Sequence, residues 1–303
     1  MFVSNGSLGS GLRAVPKIIS SSSVSAPWRR FVNSPSLSVT EFEKIKNNKS
    51  TNGDCACTVG RVNSIESFSA VDGPGTRFVV FIQGCPHRCV FCSNPETWSF
   101  KGGEEQTVDS LIAKAKRVRV YLEKNGGGVT VSGGEPLIQP IFVSEFLKRV
   151  HSELHLPTAI DTTGNVSRSS WEKVLKHTDL VMLCPKSFDP KMYKEITGSN
   201  QQGMLDFVQG VRKLGLPIWL RYVLVPSMTD RDSDIEAIGK FARDNDNLVK
   251  VELLPYHDLG RHKWMELGLK YKLDHLNLYT KDQSVELFNK VRQEVPSAID
   301  VSI

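Results

Sequence analysis

The chain of 303 residues is 40% apolar and 23% charged, which suits one large α/β domain, or two small ones, with a real core and excludes disorder throughout. Its formal charge of +5 is concentrated at the start: residues 1–40 carry Arg13, Lys17, Arg29 and Arg30 and no acid precedes Glu41, so by subtraction the rest holds about +1. Charge therefore makes no case for nucleic acid. No apolar run approaches the length that spans a bilayer, so a soluble protein off the membrane is expected.

The first forty residues are rich in serine, including SSSVS at 21–25, and combine spaced basic residues with a lack of acids. That composition matches an organellar transit peptide, for a mitochondrion or a chloroplast; an ordinary solvated tail is the alternative. The stretch EKIKNNKSTNGDC at 43–55 reads as linker, which places transit peptide and linker at 1–55 and the folded domain at 56–303. Cys55 and Cys57 read as free thiols, because a C-x-C pair alone has little ligand specificity.

Beyond residue 60, short β-rich apolar runs alternate with helix-period segments. The strands are RFVVFIQG at 77–84, GVTVSGG at 128–134, TAIDTTG at 158–164, LVMLCPK at 180–186, PIWLRYVLVP at 217–226 and VKVELLPY at 249–256. Between them, 107–126 starts at Thr107 and stops at Asn125-Gly126, 169–177 carries a capping box from Ser169 to Glu172, and 230–245 opens on acids. Near-continuous apolar strands joined by helices predict a parallel sheet covered on both faces, either an open doubly wound sheet or a partial barrel. The polar residues favour an α/β partial (β/α)6 TIM-like barrel. The cysteine loop follows the first strand, Ser132-Gly133-Gly134-Glu135 ends the second and Asp161-Thr162 the third. Lys186 ends the fourth, Arg221 lies in the fifth, and Tyr256-His257 ends the sixth; barrel enzymes gather their chemistry at this rim.

The loop GCPHRCVFC sets Cys85, Cys89 and Cys92 at x3 then x2 spacing with no fourth cysteine nearby. Structural zinc takes four protein ligands, and His87 between two of the thiols is the candidate fourth. A cubane iron–sulfur cluster held by three thiolates instead leaves one iron open to a small ligand. Gly133 and Gly134 let backbone approach a ligand closely, and their exposed N–H and C=O groups suit an amino-acid head group.

The C-x3-C-x2-C spacing, with Phe91 directly before the third cysteine and GGE following, resembles the radical S-adenosylmethionine superfamily. The resemblance implies that a [4Fe-4S] cluster bound by Cys85, Cys89 and Cys92 is chelated at its fourth iron by S-adenosylmethionine. SFSAVDGPGTRFVVFIQGC at 67–85, NGGGVTVSGGEP at 125–136, LRYVLVP at 220–226 and VKVELLPYHDLGRHKW at 249–264 are similar to the pyruvate formate-lyase activating enzymes, over roughly residues 60–275. Related activators carry a ferredoxin-like insert with more cysteines; residues 93–131 contain none, so a single cluster is implied.

Carried over by position, the family's pattern puts Phe91, Ser93, Gly133, Gly134, Cys184, Pro185, Lys186 and His257 around S-adenosylmethionine, with His257 near the ribose. Asp161, Thr162 and the Met182 carbonyl would hold a monovalent cation, and Asp72 and Arg221 would meet the partner. No side chain is assigned as acid or base, since the radical is generated at the cofactors. The family has an acidic residue in D-L-K where this chain has Cys184-Pro185-Lys186; proline lacks an amide hydrogen and cysteine is a poor acceptor. The implied protein substrate is pyruvate formate-lyase, which receives a glycyl radical. The implied electron donor is a flavodoxin or ferredoxin, and the chain is expected to be a monomer. The basic residues Lys114, Lys116, Arg117 and Arg119 read as a solvated helix face, with docking of that donor as the alternative. Two competing readings are a radical S-adenosylmethionine enzyme acting on a small molecule and a non-catalytic zinc or iron–sulfur module.

Overall fold

The structure, a computed structural model, describes residues 58–303. The serine-rich stretch, the linker, Cys55 and Cys57 lie outside the described residues.

Among the described residues nine strands make one sheet: β1 (Val59–Ser69), β2 (Arg77–Ile82), β3 (Glu104–Thr107), β4 (Gly128–Gly133), β5 (Thr158–Thr162), β6 (Leu180–Leu183), β7 (Ile218–Leu224), β8 (Leu248–Pro255) and β9 (Asp300–Ser302). Their order is β3-β1-β2-β4-β5-β6-β7-β8-β9. The six predicted strands are β2 and β4 to β8, each parallel to the next. They form a partial (β/α)6 TIM-like barrel, whose sheet ends on β3 and β9 instead of closing.

Alternation along the strands separates two interiors. On β7, Ile218, Leu220, Tyr222 and Leu224 pack outward with Phe78, Val131, Ile160 and Val251 in the main core beneath the helices. The intervening Trp219 joins Ala159, Leu180 and Met182 in a separate cluster inside the barrel, and Arg221 follows it on the same face. The outer core is what holds the layers together, since burying each Leu, Ile or Phe there is worth about 1.5–3 kcal/mol.

Helix α1 (Val108–Lys124) shows the local logic. Val108, Leu111, Ile112, Ala115 and Leu122 make its buried stripe, and the Thr107 side chain caps it by accepting from Ser110 N at 3.1 Å. Its basic face is solvated as read: Lys114 bonds Gln106 and Arg119 pairs with Glu123, while Lys116 and Arg117 are exposed. Helices α2 (Pro140–Arg149), α3 (Arg168–Leu175), α4 (Pro190–Thr197), α5 (Gln202–Lys213), α6 (Asp232–Asp244), α7 (Arg261–Glu266) and α8 (Lys281–Glu294) follow. The predicted capping box at Ser169 is not formed. Helix α3 starts earlier, with Ser167 at the N-cap position, and Glu172 bonds Arg168 instead.

Strands β1, β3 and β9 were not predicted. Strand β1 pairs antiparallel with β2 and leaves much of its length half-buried or exposed, so VGRVNSIESFS lacks the apolar signature of a central strand. Among the described residues no helix is long and apolar enough to cross a membrane.

Candidate active site

The cysteine loop leaves the C-terminal end of β2 and is fastened along its length. Gly84 N donates to Thr97 O at 2.8 Å, Arg88 N to Thr197 O at 2.9 Å and Val90 N to Ile196 O at 3.0 Å, which seats the loop on the last turn of α4. The Arg88 guanidinium donates to the carbonyls of Cys85 and His87, both at 2.8 Å, and lies 5.2 Å from the centre of the Trp98 ring. Gln83 is buried and donates to Glu96 O and Ser99 O, tying the strand end to the segment beyond the loop.

A second latch comes from the far end of the chain. Trp264 on α7 donates its indole N–H to Cys92 O at 2.8 Å and meets Trp98 edge-on. Lys263 Nζ reaches Asn94 Oδ1 at 2.8 Å and Glu96 Oε1 at 2.6 Å. Gly260 allows this approach: a Cβ there would come within 2.6 Å of Ser93 Cα. GRHKW is part of the family pattern in the sequence, but its role in holding the loop is not legible there; a glycine three residues before a Lys-Trp pair is the available signal.

Cys85 and Cys89 are buried and Cys92 is half-buried. Burial pushes the Cys85 thiol up to about 12, with Glu135 adding to the rise, and it likewise raises Cys89 and Cys92. Iron takes these three thiols as thiolates, and the charge of bound iron would offset the hydration that burial removes. Among the described residues no three His, Cys, Asp or Glu side chains converge on one point as single-ion ligands do. A cubane needs no such convergence, because its thiolates bind separate irons. His87 was the candidate fourth zinc ligand, but its two ring nitrogens face Thr163 Oγ1 and Ser199 Oγ.

The GGE segment lies across from this loop. Gly133 has φ +112°, and a Cβ on Gly134 would strike the Gly84 carbonyl. Glu135, in contrast, is fully buried and faces protein: Oε1 accepts from Leu137 N at 3.1 Å and Thr162 Oγ1 at 2.6 Å, and Oε2 from Thr163 N at 3.0 Å and Thr163 Oγ1 at 2.7 Å. Burial raises its carboxyl, and the threonine hydroxyls and backbone amides work against that rise. Glu135 thus clamps the ends of β4 and β5 together.

At the end of β6, Lys186 has φ +66° and donates to Cys184 Sγ at 3.1 Å, with Nζ 5.8 Å from the Phe91 ring centre. Burial works against its charge, yet the sulfurs of Cys184 and Cys89 and the Asp161 carboxylate outweigh it and raise the lysine. Cys184 is held by its own N–H to Thr162 O at 2.9 Å, and Pro185 O accepts from Ser187 N at 2.8 Å. His257 is exposed, with Nδ1 3.4 Å from Leu259 N.

Inside the barrel, Arg221 bridges Asp161 at 2.9 Å and Glu252 at 2.8 Å and donates to Val71 O at 3.3 Å. Burial acts against the guanidinium, and the two carboxylates outweigh it and raise it. Of the expected cation set, Met182 stands beside Asp161 in the β5–β6 register, while the Asp161 side chain bonds Arg221 and Ser132 and the Thr162 hydroxyl, on the opposite face of β5, bonds Glu135. Asp72 accepts from Ser69 Oγ at 2.5 Å in the turn before β2, at the strand end away from the cysteines.

A barrel of parallel strands with a three-cysteine loop and a glycine-lined strand end at its C-terminal rim defines a radical S-adenosylmethionine iron–sulfur enzyme. A family described as a 4Fe-4S single cluster domain matches residues 71–205. The chain is 45% identical over 229 residues to the pyruvate formate-lyase-activating enzyme of Clostridium pasteurianum, covering 76% of this chain and 95% of that protein. It is 41% identical over 218 residues to the pyruvate formate-lyase 1-activating enzyme of Escherichia coli K12, covering 71% and 88%. Among solved structures, Streptococcus suis SuiB bound to its precursor peptide SuiA matches with TM-score 0.57 and 16% identity, over 79% of this chain and 50% of that one. SuiB bound to S-adenosylmethionine gives 0.54 and 16%, over 73% and 48%. The chain belongs to the pyruvate formate-lyase-activating enzyme family. Its cofactors are a [4Fe-4S] cluster and S-adenosylmethionine. These relatives overturn the expected organellar destination, because they are proteins of bacteria, which contain neither mitochondria nor chloroplasts.

Proposed function

We propose that the protein activates pyruvate formate-lyase by installing a glycyl radical on it. The observation that carries this is the three-cysteine loop opposite Gly133-Gly134, in a chain 45% identical to a pyruvate formate-lyase-activating enzyme. When bound, the cluster and S-adenosylmethionine would supply the chemistry: one electron from the reduced cluster to cleave the sulfonium with release of methionine, and the removal of a hydrogen atom from a glycine Cα of the partner by the adenosyl fragment.

The chain's own residues bind, orient and shield. Cys85, Cys89 and Cys92 hold the cluster, and the backbone at Gly133 and Gly134 receives the methionine head group. Phe91, Ser93, Cys184, Pro185 and Lys186 line the nucleotide side with His257. Lys186, kept charged beside Cys184, contributes the positive charge that the family's D-L-K lysine supplies, while its sulfur partner replaces the carboxylate. Arg221 and the Asp72 turn, joined through Val71 O, contact the incoming glycine segment. The unclosed barrel suits such a substrate, because a peptide can enter where a complete wall would exclude it, and ordering that peptide is part of the binding cost. A flavodoxin or ferredoxin donates the electron, and the enzyme works as a monomer.

The test is anaerobic reconstitution with iron and sulfide, reduction, and incubation with S-adenosylmethionine and pyruvate formate-lyase. A glycyl-radical signal by electron paramagnetic resonance, with equivalent 5'-deoxyadenosine, is expected. 5'-Deoxyadenosine without that signal would move the activity to another substrate, and absence of both would refute the reading.

A further inference from the structure

Three residues separate Cys85 from Cys89, and only the middle one turns inward. Pro86 and Arg88 are exposed, whereas His87 is 2% exposed. Its ring is held at both nitrogens, with Nε2 3.2 Å from Thr163 Oγ1 and Nδ1 3.3 Å from Ser199 Oγ. The neighbours fix the direction of these bonds. Thr163 Oγ1 donates its single proton to Glu135 Oε2 at 2.7 Å, so it meets the imidazole as an acceptor and Nε2 carries the hydrogen. Nδ1 then accepts from the Ser199 hydroxyl.

The bonds form a circuit. Glu135 N donates to Gly84 O at 3.0 Å, directly before Cys85. The Glu135 carboxylate receives Thr163, and Thr163 receives His87, directly before Arg88 and Cys89. The loop is therefore tied to one clamp on both sides of Cys85, and Ser199 adds a tie to the connection after α4. The same clamp carries Gly133-Gly134, so thiols and head-group backbone share a single support. Arg88 cannot replace this link, because its side chain bonds carbonyls within the loop itself.

We infer that His87 is a positioning residue of the cluster loop: through Thr163 and Glu135 it registers the segment between Cys85 and Cys89 on the ends of β4 and β5. The inference rests on the proposed binding of the cluster by these cysteines. Removing the ring's N–H leaves Thr163 Oγ1 with only the Asn165 N–H at 3.2 Å and unties the middle of the loop from β5, so that it is held there by Arg88 N and Val90 N on α4 alone. Iron then leaves faster, and the response of the cluster to S-adenosylmethionine becomes heterogeneous.

The experiment compares anaerobically reconstituted parent, His87→Leu, His87→Gln and Thr163→Val. Its readouts are the rate of iron removal by a chelator and the electron paramagnetic resonance spectrum of the reduced cluster with and without S-adenosylmethionine, with melting temperature recorded alongside. H87L is expected to lose iron up to about tenfold faster, the factor that one intramolecular hydrogen bond is worth. H87Q, whose amide N–H stands where Nε2–H stood, is expected to return to the parent rate and spectrum. T163V, which also takes a donor from Glu135 and an acceptor from Asn165 N, is expected to lose iron at least as fast as H87L, and H87L added to T163V to cost little more than T163V alone. Parental iron release and spectrum in H87L would overturn the inference, as would H87Q failing as badly as H87L, which would assign the effect to ring packing. A parent protein without a four-iron cluster would instead bring down the cluster assignment, and the inference with it.

Discussion

Replacing Glu135 by glutamine tests whether GGE works as a frame. Each carboxylate oxygen accepts one backbone N–H and one threonine hydroxyl: Leu137 N and Thr162 at Oε1, Thr163 N and its hydroxyl at Oε2. A hydroxyl can rotate to accept from an amide NH2, but a backbone N–H cannot. Whichever way the glutamine flips, one buried N–H faces another donor. Leaving one such group unsatisfied costs about 1–3 kcal/mol. For a domain of this size that lowers Tm by about 3–10 °C. Because Glu135 N also holds Gly84 O, S-adenosylmethionine should bind more weakly as well. The assay is anaerobic thermal unfolding of reconstituted protein, with S-adenosylmethionine titrated on the same samples. An unchanged Tm together with lost S-adenosylmethionine binding would refute the reasoning, since the carboxylate would then be serving the ligand and not the strands.

Arg221→Met should destabilise the protein by about 1–3 kcal/mol in anaerobic chemical unfolding, because it leaves the half-buried carboxylates of Asp161 and Glu252 facing each other without the cation between them; Arg221→Lys should recover less than half, lacking the fork that reaches both. Gly134→Ala should reduce iron content per chain after reconstitution, since its Cβ would displace the Gly84 carbonyl before Cys85. Burial acts to raise the Asp179 carboxyl, but His151 and Thr158 outweigh it and hold it below its ordinary value. A depressed native value means that the unfolded chain takes up the proton first, so this stability is present at neutral pH and is lost as pH falls through the native value. Unfolding midpoints followed from about pH 6 to about pH 3 should drop in the parent and flatten in Asp179→Asn.

The six parallel strands were legible because they are buried on both faces and read as apolar runs ended by glycine or proline. Strands β1, β3 and β9 escaped for the opposite reason: β3 and β9 are the edges of the sheet and β1 lies next to one of them, so they are half in water and interleave polar residues with few apolar ones. The cysteine loop and the glycines were legible as spacing and type. What spacing does not carry is direction. Asp161 and Thr162 are adjacent in sequence and were grouped for one cation, yet a strand sends neighbours to opposite faces, where Arg221 takes one and Glu135 the other. His87 sits among ligands and looks like one, but its tautomer is set by Thr163, a residue far away in sequence. The latch of Lys263 and Trp264 on the cluster loop spans most of the folded chain, beyond the reach of any local pattern.

The account depends most on one iron of the cluster lacking a protein thiolate. Mössbauer spectroscopy of anaerobic protein enriched in iron-57, with and without S-adenosylmethionine, addresses that iron directly. The account predicts a four-iron cluster in which a single iron changes its environment when S-adenosylmethionine is added, and in which Cys85→Ala, Cys89→Ala or Cys92→Ala prevents assembly. Four irons that all keep their spectra on addition of S-adenosylmethionine would contradict it.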